Sequence, residues 1–451
     1  MVLFGMYRSC YPTRPAMTKP HALLINPWVA DFKLYDEWMH PAGLYLLGSL
    51  LIHNGWEITL FDCLACGRAG RAKRFNTGDF AGRPLPKPSL FAAVPRRYKR
   101  YGCDEETLRT ALRAQPVPDA VFLGSGMTYW IDGLVDTFRV VKRQLPHTPV
   151  HIGGIAATLT TDAVSRRCPG AHVFAGPLAF TDTALPAGLS SSGWTPDLRD
   201  SFALLASPPH GPVLLSLGCP LRCTYCASSV LQPHCIRRDP RQVFDETALL
   251  HTRFGVRDFA FHDDALLAQS ETSLAPFLEQ VLRSGMPLRF HTPNGLHMRY
   301  ATLEVLRLMH QAGFHTLRFG FESTAPSLGT HTGRKTSREQ TAQLMHAARQ
   351  AGFTGRDIGV YVMGGLPGQT PGQMLDDIRF VGSLGVLVKP VFLSPIPGTP
   401  VFDTWAEAYP DLLADPRTHN DTFFVSRLQG WGWETVARMR AEARVVGNRV
   451  A

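Results

Sequence analysis

Short apolar runs separated by helical patterns occur in two series along this chain, and that alternation limits the fold more than any other feature. Before residue 175, five strand-like runs stand out: His21–Asn26 (HALLIN), Glu57–Asp62 (EITLFD), Ala120–Gly124 (AVFLG), Val150–Gly153 (VHIG) and His172–Phe174 (HVF). Helical stretches lie between them. One is Pro41–Asn54, with proline at its start and Gly55 as its stop, and others lie near Asp132–Gln144 and Thr158–Arg167. The pattern predicts a doubly wound, Rossmann-like α/β domain with a parallel sheet. Ligands of such sheets bind outside the carboxyl ends of the strands. Those ends carry Asn26-Pro27-Trp28, the SGMTYW turn from Ser125 to Trp130, and Gly153-Gly154-Ile155.

The alternation restarts at Pro212 with another cadence. Val213–Ser216 (VLLS) is followed by Asp258–His262, Leu288–Thr292, Thr316–Phe321, Asp357–Met363 and Val388–Leu393, with helices such as Ala301–Ala312 and Ser337–Ala351 between them. Six βα units in this span predict a partial (β/α)6 barrel with its active face at the strand C-termini. The expected organisation is an arm over 1–19, the Rossmann-like domain over 20–184, a Ser/Pro/Gly-rich linker over 185–210, the barrel over 211–400 and a short helical tail over 401–451. Met17, just before the first strand, leaves the true start codon open.

A chain of 451 residues exceeds one ordinary core. At 45% hydrophobic and 18% charged residues, and lacking both a long apolar span and a secretory h-region, it reads as a cytoplasmic protein with no membrane partner. Nine cysteines, an odd number with one tight cluster, fit a reducing compartment and a metal site better than a disulfide framework. The net charge of +9 resides in one stretch within a 63–103 insertion. Ten basic residues between Arg68 and Arg100 face a single acid, Asp79. This segment reads either as a solvated Pro-rich loop or as a surface for an anionic group.

The cluster is SLGCPLRCTYCAS, in which Cys219, Cys223 and Cys226 have the spacing C-x3-C-x2-C directly after a strand. Thiolates suit zinc, copper(I) or iron–sulfur clusters. Structural zinc takes four closed ligands, and neither His234 nor Cys235 completes the usual second pair. A redox dithiol has no use for a third cysteine. A [4Fe–4S] cube held by three cysteines keeps one iron open for a ligand, whereas electron-carrying clusters use four.

Spacing, strand context and the aromatic Tyr225 before the last cysteine together resemble the radical S-adenosylmethionine (SAM) enzymes. The resemblance implies that Cys219, Cys223 and Cys226 hold the cluster. It places Asp263 and Asp264, in His262-Asp263-Asp264, where the family binds the methionine amino group. An N-cap role is the alternative for that pair, since the commoner Gly-Gly-Glu is absent. Glu322 becomes a ribose or amino-acid contact, and Gly364 and Gly365 become backbone near adenosine. PIPGTP after the sixth strand resembles the closing motif of members with an extra N-terminal domain.

The first domain resembles the cobalamin-binding domain of class B members through LLINPW, HPAGLYLLGSLL, SGMTYW and HIGGIAATL. That resemblance implies cobalamin contacts from Ser125, Thr128, Tyr129, Gly153, Gly154 and Ile155. Cobalamin domains with a histidine ligand carry D-x-H-x-x-G. Here His40-Pro41-Ala42-Gly43 has Trp38 in place of the aspartate, and Pro41 starting a helix is the favoured reading. Cys63 and Cys66 read as incidental. The resemblance implies reductive cleavage of SAM to a 5′-deoxyadenosyl radical and methylation of an unactivated carbon of an unknown small molecule or peptide. A flavodoxin or ferredoxin would supply electrons. Radical cyclisation or rearrangement is the nearest alternative. RNA methylthiotransfer lacks its three further cysteines, so no nucleic-acid partner is expected, and a cobalamin carrier or sensor would not need the cysteine loop.

Overall fold

The computed structural model describes residues 19–65, 68–69, 73–177, 188–329 and 336–448. The first domain is built on a five-stranded parallel sheet: β1 (His21–Asn26), β2 (Glu57–Asp62), β3 (Ala120–Ser125), β4 (Val150–Gly154) and β5 (His172–Val173), in the order β5-β4-β3-β1-β2. β1 is buried along nearly its whole length, as expected of a central parallel strand covered on both faces. Strand order reverses between β1 and β3, where Ala22–Ile25 pair with Ala120–Leu123. Helix Ala42–His53 ends before Gly55, whose φ of +80° stops it. The helix expected near 158–167 is two helices, Ile155–Leu159 and Thr161–Arg167.

The second sheet runs β6 (Gly211–Val213), β7 (Asp258–Phe261), β8 (Arg289–His291), β9 (Phe314–Glu322), β10 (Ile358–Gly364) and β11 (Leu387–Phe392), in chain order and all parallel. A two-residue strand, Leu296–His297, also pairs with β9. The first barrel strand lies earlier than Val213–Ser216. Its continuation Ser216–Leu217 leaves the barrel and pairs antiparallel with Ile236–Arg237, closing a hairpin around the cysteine loop.

The segment 188–210 is packed rather than a free linker. Its Trp194 indole N–H donates to Ser49 Oγ at 3.1 Å, and Phe202 lies edge-on to Tyr45 at 5.3 Å. Nor is the basic insertion a free loop. Strands Gly82–Pro84 and Lys99–Tyr101 form a sheet with Val29–Asp31, while Arg68–Ala69 and Gly78–Phe80 form one with Tyr35–Asp36. The second of these sheets reaches the barrel. Trp38 stacks on His291 at 4.3 Å and Phe75 lies 4.8 Å from the same ring. Asn76 donates to Asp258 Oδ2 at 2.7 Å. Burial pushes the Asp258 carboxyl up, but hydrogen bonds from His291 and Arg289 hold it down at about 2.

The tail carries helices Pro400–Ala408, Asp421–Arg427 and Gly432–Gly447 and ties both units together. His419 meets Thr128 at 3.0 Å and Asn420 donates to Asp31 at 3.1 Å. Trp431 packs edge-on to Phe392 of β11. Among the described residues no helix is long and apolar enough to cross a membrane.

Candidate functional site

The cysteine loop hangs between β6 and helix Ser228–Leu231. Gly218, at φ +80°, turns the chain out of the hairpin. A Cβ there would lie 2.9 Å from His234 O and 2.8 Å from the Gln232 side chain. Cys219, Cys223 and Cys226 are all half-buried. The Leu221 N–H donates to Cys219 Sγ at 3.5 Å, and Cys226 Sγ lies 3.2 Å from Ser228 Oγ. Burial pushes the Cys219 thiol up to about 11, and the charges of Asp264, Cys226 and Cys223 push the same way. Thiols that repel one another as thiolates fit a site completed by a positive group. Among the described residues no three His, Cys, Asp or Glu side chains close around a single ion.

The acidic pair divides. Asp263 is buried, accepts from Ser216 Oγ at 2.6 Å and from Leu215 N–H at 3.2 Å, and so pins the start of the loop. Burial pushes its carboxyl up to about 6. Asp264, beside it, is exposed and faces the cysteines. Glu322 is buried at the end of β9 with φ +61° and accepts from Tyr225 Oη at 3.1 Å. A non-glycine residue held in that region carries strain. Gly364 and Gly365 are required by packing: a Cβ would meet Met374 Sδ at 2.4 Å in one and Val425 Cγ2 at 2.4 Å in the other.

A cavity of about 720 Å³ lies between the two units. Asn26, Met39, Leu44, Gly126, Gly153 and Ile155 line one side, from the carboxyl edge of the first sheet. Gly218 of the cysteine loop, His262 and Asn294 line the other. Within 4 Å of a Cβ built on Gly153 there is no atom, so that backbone opens on the cavity. Gly154 is different: at φ +103° its Cβ would lie 2.5 Å from Ser125 O. Ser125 is a staple, donating to Gly153 O at 2.8 Å and accepting from Ala157 N–H at 3.0 Å. The structure does not bring Thr128 and Tyr129 to the cavity. The 3-10 turn Thr128–Trp130 gives Thr128 to His419, and Met127 and Trp130 form the lining instead.

Sequence reasoning missed a buried chain of rings. His40 Nε2 lies 2.8 Å from His210 Nδ1, and His210 Nε2 lies 3.2 Å from Asp36 Oδ1. His40 Nδ1 meets Tyr45 Oη at 3.1 Å, so both ring nitrogens are engaged. Asp36 and His210 stand 174 residues apart and no local spacing announces them. Cys63 is buried and donates its N–H to Asn26 O, whereas Cys10 and Cys66 lie outside the described residues.

Residues 213–381 match the Radical SAM superfamily. An uncharacterized methyltransferase of Pyrococcus horikoshii is 24% identical over 43% of this chain and 42% of its own length. The bacteriochlorophyllide d C-12(1)-methyltransferase of Chlorobaculum tepidum is 26% identical over 56% of this chain and 59% of its own. The chain thus spans about half the length of the curated relatives it matches. In fold it is similar to the radical SAM methyltransferase TsrM from Kitasatospora setae, solved with cobalamin and a [4Fe-4S] cluster. The TM-score is 0.62 at 16% identity, covering 94% of this chain and 91% of that one.

Proposed function

We propose that this chain, whose residues 213–381 match the Radical SAM superfamily, is a cobalamin-dependent enzyme of the class B architecture that reductively cleaves SAM and methylates an unactivated carbon. One observation carries the reading: Leu217 and Gly218, which lead into the three-cysteine loop after the first barrel strand, line the same cavity as the carboxyl edge of the Rossmann-like sheet. Bound there, the cluster supplies one electron to SAM and cobalamin supplies a transferable methyl group.

The residues present fit both groups. Cys219, Cys223 and Cys226 are the soft ligands and leave one corner open. Asp264, exposed where Asp263 is tied into the hairpin, would take the SAM amino group. Glu322 and Tyr225 already hydrogen-bond and form a polar wall toward its ribose or amino-acid end. Gly364 and Gly365 let the β10 turn follow the adenosine closely, within the packing that Trp431 and Val425 impose. Across the cavity, Gly153 and Ile155 offer a flat backbone and an apolar face to a corrin, held by the Ser125 staple to Gly153 O and Ala157 N–H. Thr128 and Tyr129 would act there through the turn they shape. The largely apolar lining excludes water from a radical intermediate. A low-potential one-electron carrier of the flavodoxin or ferredoxin class would be the reductant.

The experiment is anaerobic reconstitution with iron, sulfide and cobalamin, then dithionite and SAM carrying a deuterated methyl group. Mass spectrometry should find 5′-deoxyadenosine, with the label in product once a substrate is supplied. Tight cobalamin binding with no SAM cleavage at all would make the protein a carrier instead.

A further inference from the structure

Among the described residues, three charges on or facing the inner wall of the barrel form no ion pair. On β9, Leu317, Phe319 and Phe321 belong to the core, so Arg318 faces the lumen by the two-residue period of a strand. It stands opposite Gly359 of β10. A Cβ on Gly359 would lie 2.8 Å from Arg318 Cδ and 3.1 Å from Nε and Nη1, so the guanidinium lies across a neighbour with no side chain. Its partners are two backbone carbonyls, Leu317 O at 3.0 Å and Asp357 O at 3.5 Å. On β11, Val388 and Phe392 are core. Lys389, opposite Tyr361, forms no hydrogen bond or ion pair among the described residues.

The third charge is Glu37, next to the Trp38 that plugs the barrel. It is exposed and lines the cavity together with Pro293, whose carbonyl accepts from Tyr361 Oη at 2.7 Å. Glu37 is near enough to act on Arg318, Tyr361 and Lys389, yet it forms no ion pair with either cation. Burial pushes Lys389 down, and the neighbouring Arg318 charge pushes it the same way. Asp357 also acts on Arg318 but is paired with Arg74 at 3.8 Å, so two half-buried cations against Glu37 leave positive charge uncompensated in the lumen. Such an arrangement is costly unless a ligand completes it. A guanidinium beside an ammonium is the natural receptor for a planar or tetrahedral oxyanion.

We propose that Arg318 and Lys389 form a subsite in the barrel lumen, behind the cavity wall at Glu37 and Pro293, for a carboxylate or phosphate group of the substrate. The proposal rests on the cavity being the reaction chamber and adds that the substrate is an anion. Arg318 lies four residues before Glu322, away from the cysteine-loop end of β9, which separates this subsite from the SAM contacts.

The test uses the reconstituted holoenzyme with inorganic phosphate and acetate as probes, read as thermal stabilisation at constant ionic strength. The wild type should show a saturable shift. R318Q and K389M should each raise the half-saturating concentration roughly tenfold or more, as expected for lost charged hydrogen bonds. E37Q should lower it, because the competing acid is gone, and this opposite sign keeps the test valid if the cation variants fail to fold. R283Q, on an exposed helix surface, should match the wild type. A shift that is absent, unchanged in the variants, or abolished by SAM would overturn the proposal. A wild type that makes 5′-deoxyadenosine but shows no anion site sinks only this inference. One that holds the anions but never cleaves SAM sinks the function proposed above instead.

Discussion

Adjacent glycines, Gly153 and Gly154, serve different purposes, and substitution separates them. Gly154→Ala forces a side chain into φ +103° and against Ser125 O. It should cost about 1–3 kcal/mol of strain or more and lower the melting temperature. Gly153→Leu meets no atom within 4 Å of its Cβ, so the fold should persist while the cavity fills. Less corrinoid retained at an unchanged melting temperature would bear this out. His40 makes a second residue-level case. With one nitrogen on His210 and the other on Tyr45, it has no free lone pair for a metal. The EPR spectrum of the cob(II)alamin-loaded protein should therefore lack imidazole nitrogen splitting, and H40A should leave that spectrum unchanged. The sequence favoured Pro41 as a helix start over His40 as a ligand; Pro41 caps the helix that begins at Ala42, and His40 lines the cavity with its ring nitrogens on His210 and Tyr45.

At the scale of elements, the cysteine loop was readable because its parts are contiguous: three thiols, an aromatic and a preceding strand within thirteen residues. What local reading missed was the hairpin. Ser216–Leu217 looks like more barrel strand until Ile236–Arg237 pairs with it. The short strands of the basic insertion escaped for a similar reason, since two- and three-residue antiparallel pieces have too little period to register. The tail turn carrying His419 shows how an element joins the units. His419 accepts from Thr128 at Nδ1 and donates to Leu413 O from Nε2, and burial pushes it down to about 4. Below pH 6.5 the unfolded chain takes a proton there that the folded protein refuses until about pH 4. Stability should thus fall as pH drops through this window, by about 3 kcal/mol from this residue when pH nears 4. Urea midpoints at pH 7 and pH 5 should show the fall, with a shallower slope, by about one proton, in H419Q. An equally steep slope in the variant would assign the effect to His151 and His262, which burial also pushes down to about 4.

For the whole molecule, the tail is a clamp. Trp431 is buried against Phe392 and the Gly364 turn, and helix Gly432–Gly447 packs against the helix Pro371–Ser383 and β11. Trp431→Ala should cost about 3–5 kcal/mol through the cavity it leaves. Because the β10 turn rests on this ring, SAM affinity should weaken as well as stability. A variant that melts earlier but binds SAM as tightly as the wild type would show that the turn holds without the clamp. The small N-terminal strands act from the opposite direction. They insert Trp38, Phe75 and Asn76 into the barrel, so the two units share one interior.

Local pattern by itself determined the two sheets, their order of appearance and the three thiols, because strand period, helix period and ligand spacing are written over a few adjacent residues. The tertiary structure alone decided which acidic residue of the pair stays open, that Thr128 turns to the tail, and that Arg318, Lys389 and Glu37 share one lumen. Those outcomes depend on burial and on partners far away along the chain, and neighbouring residues hold no record of either.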